Sequence, residues 1–267
     1  MKYLRFGWAL AATLVALAPV ATAYPGGTPN YQTNVAPYCA SCHSSRSAEA
    51  LAGAGERAGK EVAERKQIAL IVNGKGKGYA ALSEADRKIL ADQIRALDAA
   101  STVTLQAPDS VKRGQTFQVV VDVTGGSGPV VGVGLVDRAH RWYARPATAA
   151  GWTVVMPPQI VAAGEPAMQW LEKRPEAADR NLTFVNVPGV SSDSAAETWG
   201  SAQVTFTLRA PDQTGSVPLG AVFLYGTEKS TVLGYTTNAV GWKEVRGGTG
   251  GGSGRILFAP VKQIQVQ

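Results

Sequence analysis

The spacing of the apolar residues changes near residue 100, and this change most constrains the fold of the 267-residue chain. Before it, residues 47–98 are rich in Ala, Glu, Lys and Arg, and apolar side chains recur at helical spacing. After it, short apolar or alternating runs are separated by Gly, Pro, Asp and Asn, which is the pattern of strands and turns. The sequence therefore predicts a small helical segment followed by a β-rich part.

Two helices are predicted in the first segment. One runs roughly over Gly59–Val72 and ends at Asn73-Gly74, a typical helix stop. The other starts at Ser83, which forms a capping box with Asp86, and continues to about Leu97. The apolar stripe expected on this second helix consists of Ala85, Ile89, Leu90, Ile94 and Leu97.

The β-rich part contains many short strand-like runs. They are 103–105, 116–123, 130–136, 152–156, 181–187, 202–208, 219–225 and 255–258. Short strands at such spacing, separated by turn residues, predict an antiparallel β-sandwich over residues 101–267. We expect aromatic residues of a sandwich to lie mainly in its core, here Trp142, Trp152, Trp170, Trp199 and Trp242.

Residues 1–23 have the pattern of a cleaved export signal. A basic start precedes an apolar run over Trp8–Val20, and Ala21-Thr22-Ala23 supplies small residues for cleavage. The apolar run is short for a membrane span, so we favour cleavage over an uncleaved anchor. The mature chain would then begin at Tyr24 and be exported, periplasmic in a bacterium, and soluble, without a transmembrane anchor.

The overall composition excludes some classes of protein. An apolar fraction of 45% with 17% charged residues excludes an intrinsically disordered chain. The net charge of +6 does not by itself identify a partner. Since no basic run with interleaved aromatic residues is present and export is expected, we exclude a nucleic-acid partner.

The two cysteines of the chain lie in Cys39-Ala40-Ser41-Cys42-His43. In an exported protein, Cys-x-x-Cys-His is typical of covalent haem attachment. The two thiols add across the porphyrin vinyl groups, and His43 lies beneath the iron as its proximal ligand. We therefore expect one haem c, attached through Cys39 and Cys42. A disulfide, a thioredoxin-like pair and a zinc site are the alternatives; no βαβ context precedes Cys39, and His140 is the only other histidine.

The residues after the motif continue a recognisable pattern. Residues 68–78 read Ile68-x-x-x-Val72-Asn73-Gly74-Lys75-Gly76-Lys77-Gly78, and Leu82-Ser83-Glu84-Ala85-Asp86 leads into the last helix. Residues 39–98 thereby resemble a shortened class I cytochrome c, which implies a haem-binding domain over residues 24–100. The chain departs from that family in two ways. It lacks a helix before the motif, and Gly78-Tyr79-Ala80 stands where the distal Met-Pro is expected.

The second axial ligand of the iron is left open by these departures. A mature chain starting Tyr24-Pro25 resembles cytochrome f, in which the α-amino nitrogen of an N-terminal Tyr ligates the iron, so Tyr24 is the preferred candidate. Tyr79 is the next, either as a phenolate ligand or packed on the ring edge. The others are Lys75, Lys77, His140, Met156 and Met168, and a five-coordinate iron is a further alternative.

Two runs of the β-rich part, Gly132–Leu135 and Val222–Gly226, resemble elements of the reeler-type, immunoglobulin-like sandwiches that follow haem motifs in bacterial surface or periplasmic proteins. Together, the resemblances imply an exported monohaem c-type cytochrome that carries single electrons between redox partner proteins. The alternatives are a haem-based ligand-binding or sensor protein and a haem subunit of a larger oxidoreductase complex. The chain shows no Ser-His-Asp arrangement, which favours electron transfer over an enzymatic activity.

Overall fold

The structure, a computed structural model, describes residues 63–75, 78–138, 144–166, 183–246 and 253–267. Its helices are a π-helical turn (Glu64–Ile68) that continues as α1 (Ala69–Val72), and α2 (Glu84–Ala100). Its strands are β1 (Thr102–Gln106), β2 (Ser110–Val111), β3 (Thr116–Thr124), β4 (Ser127–Val136), β5 (Thr153–Val154), β6 (Gln159–Ala162), β7 (Glu165–Pro166), β8 (Phe184–Pro188), β9 (Ser201–Arg209), β10 (Gly215–Gly226), β11 (Tyr235–Thr237), β12 (Lys243–Val245), β13 (Gly254–Phe258) and β14 (Lys262–Val266). Short 3-10 turns lie at Ala147–Ala150, Glu228–Ser230 and Val232–Gly234. The described chain is mainly β, as the sequence predicts.

The described strands form two six-stranded sheets and a separate two-stranded hairpin of β11 and β12. The order in the first sheet is β1-β3-β9-β6-β7, and β5 also pairs with β9. The order in the second is β2-β14-β10-β4-β8, and β13 also pairs with β10. Among these pairs only β14 and β2 run parallel, so the expectation of an antiparallel architecture is confirmed apart from this short edge pair.

One apolar core lies between the two six-stranded sheets. It combines inward side chains of both sheets: Val119, Val121 and Val123 of β3; Val204, Phe206 and Leu208 of β9; Val131, Val133 and Leu135 of β4; and Ala221, Phe223 and Tyr225 of β10. Trp152 closes this core beside Phe117, and its indole N–H donates to the Pro218 carbonyl at 2.9 Å. Two sheets that share one core in this way form a β-sandwich.

The outward face of the second sheet is also apolar and buried. Phe184 of β8 lies across Gly132 of β4, where a Cβ atom would come within 2.6 Å of the Phe184 ring. A side chain at Gly132 would therefore displace that ring. The remaining buried residues of this face are Val136, Ala144, Val222, Leu224, Ile256 and Phe258. The glycines of the Gly132–Leu135 run thus serve packing between strands.

Helix α2 begins as the sequence predicts. The Ser83 hydroxyl oxygen accepts from the Asp86 backbone N–H at 3.1 Å and caps the helix. Leu90, Ala91, Ile94 and Leu97 form its buried side. The expected stripe was wrong at Ala85 and Ile89, which lie exposed, because the elements packed against α2 contact only one side of it.

The expectation for the tryptophans is confirmed only in part. Trp152 is fully buried and Trp199 packs against the core, whereas Trp242 is 62% exposed on the β11–β12 hairpin. Trp142 and Trp170 lie outside the described residues. Within the described residues, no helix is long and apolar enough to cross a membrane.

Candidate functional site

Most residues of the predicted haem site lie outside the described residues: Cys39, Cys42, His43, Tyr24, Lys77, His140 and Met168. Three of the alternative distal ligands are described. Lys75 is exposed, Met156 is 46% exposed on a loop, and Tyr79 is buried between the helices and the sandwich. The site that the structure does define is this interface, at which Tyr79 contacts the β-rich part.

Tyr79 connects the loop between the two helices to the sandwich. Its ring packs with Ile68, Ile71 and Leu90, and its hydroxyl donates to Glu228 Oε1 at 2.6 Å. Burial raises the pKa of Tyr79 well above its ordinary value, and the charge of Glu228 raises it further. The phenol is therefore held protonated by its surroundings, which disfavours the phenolate that ligation to iron requires.

Glu228 is the centre of the interface and is fully buried. Its Oε1 atom also accepts from Gln67 Nε2 at 2.6 Å, and its Oε2 atom accepts from the Thr227 hydroxyl at 2.8 Å. Three donors thus surround one carboxylate, two from the helical segment and one from the sandwich. Burial still raises the pKa of Glu228 above its ordinary value, although the hydrogen bonds from Tyr79, Thr227 and Gln67 oppose this.

The orientation of the Gln67 amide is fixed from both sides. Arg255 Nη2 donates to Gln67 Oε1, so the amide nitrogen faces Glu228 and the Thr227 hydroxyl, from which it lies 2.9 Å. The side-chain amide of Gln67 has one acceptor end and one donor end. Because Arg255 donates to the acceptor end, the donor end faces the Glu228 carboxylate. Gln67 therefore connects the buried Arg255 to the buried Glu228 through hydrogen bonds at the two ends of its amide.

Arg255 and Asp98 form an ion pair at the interface. Asp98, in the last turn of α2, accepts from Arg255 Nε and from the Tyr225 hydroxyl, both at 3.0 Å. Burial disfavours the charge of Arg255, but Asp98, Tyr225 and Glu228 together outweigh burial and raise the pKa of the guanidinium. Burial also raises the pKa of Tyr225. The two sheet residues in these contacts, Tyr225 and Arg255, are buried. Gln67 and Asp98 thus join each of the two helices to the sandwich by a hydrogen bond that involves a charged group.

A second set of contacts joins Gly78, in the loop between the two helices, and helix α2 to the segment Thr227–Arg246. Arg246 donates to the Gly78 carbonyl, next to Tyr79, and its Nε atom donates to the Leu233 carbonyl at 2.8 Å. Thr231 donates to Gln93 of α2. The segment Thr227–Arg246 of the sandwich therefore contacts the helices at its start, middle and end.

This arrangement positions the helical segment against the sandwich. It consists of the Glu228 and Asp98 carboxylates, the Arg255 and Arg246 guanidinium groups and neutral donors, and Arg246 donates to backbone carbonyls. In the part of the chain that the structure describes, no group of three His, Cys, Asp or Glu residues is placed to hold a metal ion. The interface is a docking contact between the helical segment and the sandwich.

Sequence reasoning identified Tyr79 but missed Glu228, to which its hydroxyl donates, and the other polar residues of the interface, Gln67, Asp98 and Arg255. One signal was present. Arg255 stands directly before Ile256-Leu257-Phe258, and a charged residue in a buried strand needs a charged partner. The identity of that partner was not predictable, because Asp98 and Arg255 are separated by 157 positions.

Comparison of the chain with protein-family models finds no match, and comparison with curated proteins finds none.

The contact between Tyr79 and Glu228 has a measurable energy. Replacing Tyr79→Phe removes a donor from a buried carboxylate, and we expect a loss of about 1.5–3 kcal/mol in the free energy of unfolding. Denaturant titration of the single variants and of Tyr79→Phe with Glu228→Gln gives the coupling between the two side chains. Tyr235→Phe, on the surface hairpin, is the matched control. Additive effects of the two interface changes would contradict a direct contact.

The raised pKa of Glu228 gives a pH dependence of stability. The proton binds more tightly in the folded chain, so the stability of the wild type relative to Glu228→Gln is greatest below the ordinary pKa of 4.5 and falls as the pH rises through the folded pKa. Glu64 is the control of opposite sign, because hydrogen bonds from Arg95 lower its pKa. Relative to Glu64→Gln, stability should be lost as the pH falls below 4.5. Parallel profiles for the two variants would overturn this assignment.

Proposed function

We propose that this protein is an exported monohaem c-type cytochrome that carries single electrons between redox partner proteins. The observation that carries the proposal is Cys39-Ala40-Ser41-Cys42-His43 behind an export signal. The donor set fits the group, since it supplies two thiols for covalent attachment and an imidazole for the iron. When bound, the haem supplies an iron that accepts and releases one electron.

Different residues of the chain bind the haem and orient it. Cys39 and Cys42 anchor the porphyrin, and His43 ligates the iron from the proximal side. The helical segment retains partly exposed apolar side chains at Leu70 and Val72, which leaves apolar surface for a further apolar group. The sandwich holds this segment through Glu228 and Arg255 and thereby gives the haem unit a fixed orientation toward a partner.

For the distal side we propose the α-amino nitrogen of Tyr24. An N-terminal amine has a pKa of about 8, so it loses its proton at neutral pH at modest cost. The contacts of the competing residues support this assignment. The Tyr79 hydroxyl is bound to Glu228 in a buried site, and its use as a ligand would leave that carboxylate short of a donor.

Covalent haem is the first test. The full chain, produced in a host that attaches c-type haem, should yield a mature protein whose mass includes one haem, with a low-spin spectrum that carbon monoxide does not change. Cys39→Ser with Cys42→Ser should remove the covalent haem, and Ser41→Ala is the matched control inside the motif. A mature chain without covalent haem would overturn the proposal. Rapid carbon monoxide binding would favour the ligand-binding or sensor alternative.

The distal ligand has a separate test. One alanine inserted between Ala23 and Tyr24, with cleavage confirmed by N-terminal sequencing, displaces the amine and should change the low-spin spectrum. Tyr24→Phe keeps the α-amine in place and should leave the spectrum unchanged. If the insertion leaves the spectrum unaltered, the ligand is not the N-terminal amine.

A further inference from the structure

The β11–β12 hairpin ends in an exposed apolar tip. All residues of Ala239–Glu244 are exposed, and within them Val240 is 71% and Trp242 is 62% exposed. An isolated exposed apolar residue needs no explanation, but a valine and a tryptophan at the end of one projecting hairpin form a concentrated feature.

The tip has a fixed conformation. Asn238 Oδ1 accepts from the backbone N–H of Val240 at 3.1 Å and of Trp242 at 2.9 Å, while the Asn238 N–H donates to the Trp242 carbonyl at 2.8 Å. Asn238 Nδ2 in turn donates to Glu244 Oε1 at 2.9 Å. Because one side chain fixes the turn, little conformational entropy is lost when the tip binds a surface.

The base of the hairpin is also fixed. Arg246 follows β12 directly and donates to the Gly78 and Leu233 carbonyls, so the hairpin starts from the interface with the helices. Thr236 of β11 pairs with Glu244 of β12, and its methyl group lies near Gly78. The tip therefore projects from the region of the loop that carries Tyr79.

The area of the tip argues against a protein partner. A stable protein interface buries about 800 Å² on each partner. Two side chains at the end of a narrow hairpin do not supply such a surface. A bilayer interface needs no matching shape, and tryptophan is the residue most typical of that interface.

The charges suit an anionic bilayer. Lys243 directly follows Trp242, and its ammonium lies 3.9 Å from the centroid of the Tyr235 ring, next to the tip. Glu244 is the acidic residue on the hairpin and balances Lys243 locally. Long-range attraction therefore comes from the mature chain as a whole, whose net charge is +4 once Lys2 and Arg5 are removed with residues 1–23.

We propose that the tip Asn238–Lys243 is a membrane-contact site that inserts Val240 and Trp242 into the interfacial region of a bilayer containing anionic lipid. The contact is peripheral and reversible, because two apolar side chains give only weak partitioning. It does not depend on the haem, so it stands or fails independently of the proposed electron transfer.

The test is flotation of the mature protein with vesicles of phosphatidylcholine and phosphatidylglycerol. We expect binding that weakens at high salt and is lower with phosphatidylcholine alone. Trp242→Ala should reduce the partition coefficient about tenfold and Val240→Ser several-fold, since each removes apolar area from the tip. Val155→Ser removes a side chain that is 41% exposed elsewhere and should have no effect. With brominated phosphatidylcholine in the vesicles, tryptophan fluorescence of the wild type should be quenched, and most of this quenching should be lost in Trp242→Phe, which removes the reporter at the tip.

Three results would overturn the proposal. The first is no binding of the wild-type protein to anionic vesicles. The second is equal binding by the wild type and by Trp242→Ala/Val240→Ser at matched helical and sheet content by circular dichroism. The third is a different oligomeric state of the wild type and of Trp242→Ala/Val240→Ser, measured by sedimentation velocity without vesicles. That result would mean that the tip binds a second copy of the chain.

Discussion

The buried carboxylate of Glu228 is the constraint on which the arrangement of helices and sandwich depends. A charge in an apolar interior is very costly unless hydrogen bonds and an opposite charge replace the lost water. Here those donors come from both sides of the interface, because Tyr79 and Gln67 belong to the helical segment and Thr227 to the sandwich. If the helices moved away, Glu228 would lose two of these donors. The two parts therefore have one favourable relative position, set by polar geometry as well as by apolar contact.

Apolar packing alone would specify this position less strongly. The buried side of α2 is a stripe of Leu90, Ala91, Ile94 and Leu97, and such a stripe tolerates small rotations or shifts along a partner. The hydrogen bonds of Asp98 and Gln67 to the buried Arg255 do not tolerate them, because a hydrogen bond requires a defined distance and direction between donor and acceptor. The stripe supplies area, and the polar pairs select the register.

Local rules predicted the elements whose determinants lie close together in sequence. The Ser83 cap, the end of the first helix at Asn73-Gly74 and the long strands β3, β9 and β10 all follow from patterns of a few residues. The same rules failed at Ile89 and Trp242, which are exposed. An apolar residue is buried only where another element covers it, and no pattern within α2 or the hairpin reports the position of its neighbour.

The interface was not predictable from local patterns either, because its residues come from positions far apart in the sequence. Tyr79 was noticed for its position in a glycine-rich loop, and its chemistry alone suggested a ligand. The structure places Glu228 beside it, at a separation of 149 positions. That contact changes the chemistry of the phenol, because a buried anion beside it keeps its proton in place. Residue type alone therefore does not identify a ligand, because the groups within hydrogen-bonding distance decide whether the side chain can ligate.

One segment of the sandwich combines the two features on which the proposals rest. Thr227–Arg246 begins with Glu228, contacts α2 through Thr231 and ends with Arg246 at the Gly78 carbonyl. The hairpin emerges between these fixed points, so the direction of its tip is set by the contacts that fix the helices. If the tip lies at a bilayer, the orientation of the helical segment toward that bilayer is set as well. Loss of the Glu228 contacts would then disturb both the helical segment and the hairpin that carries the tip.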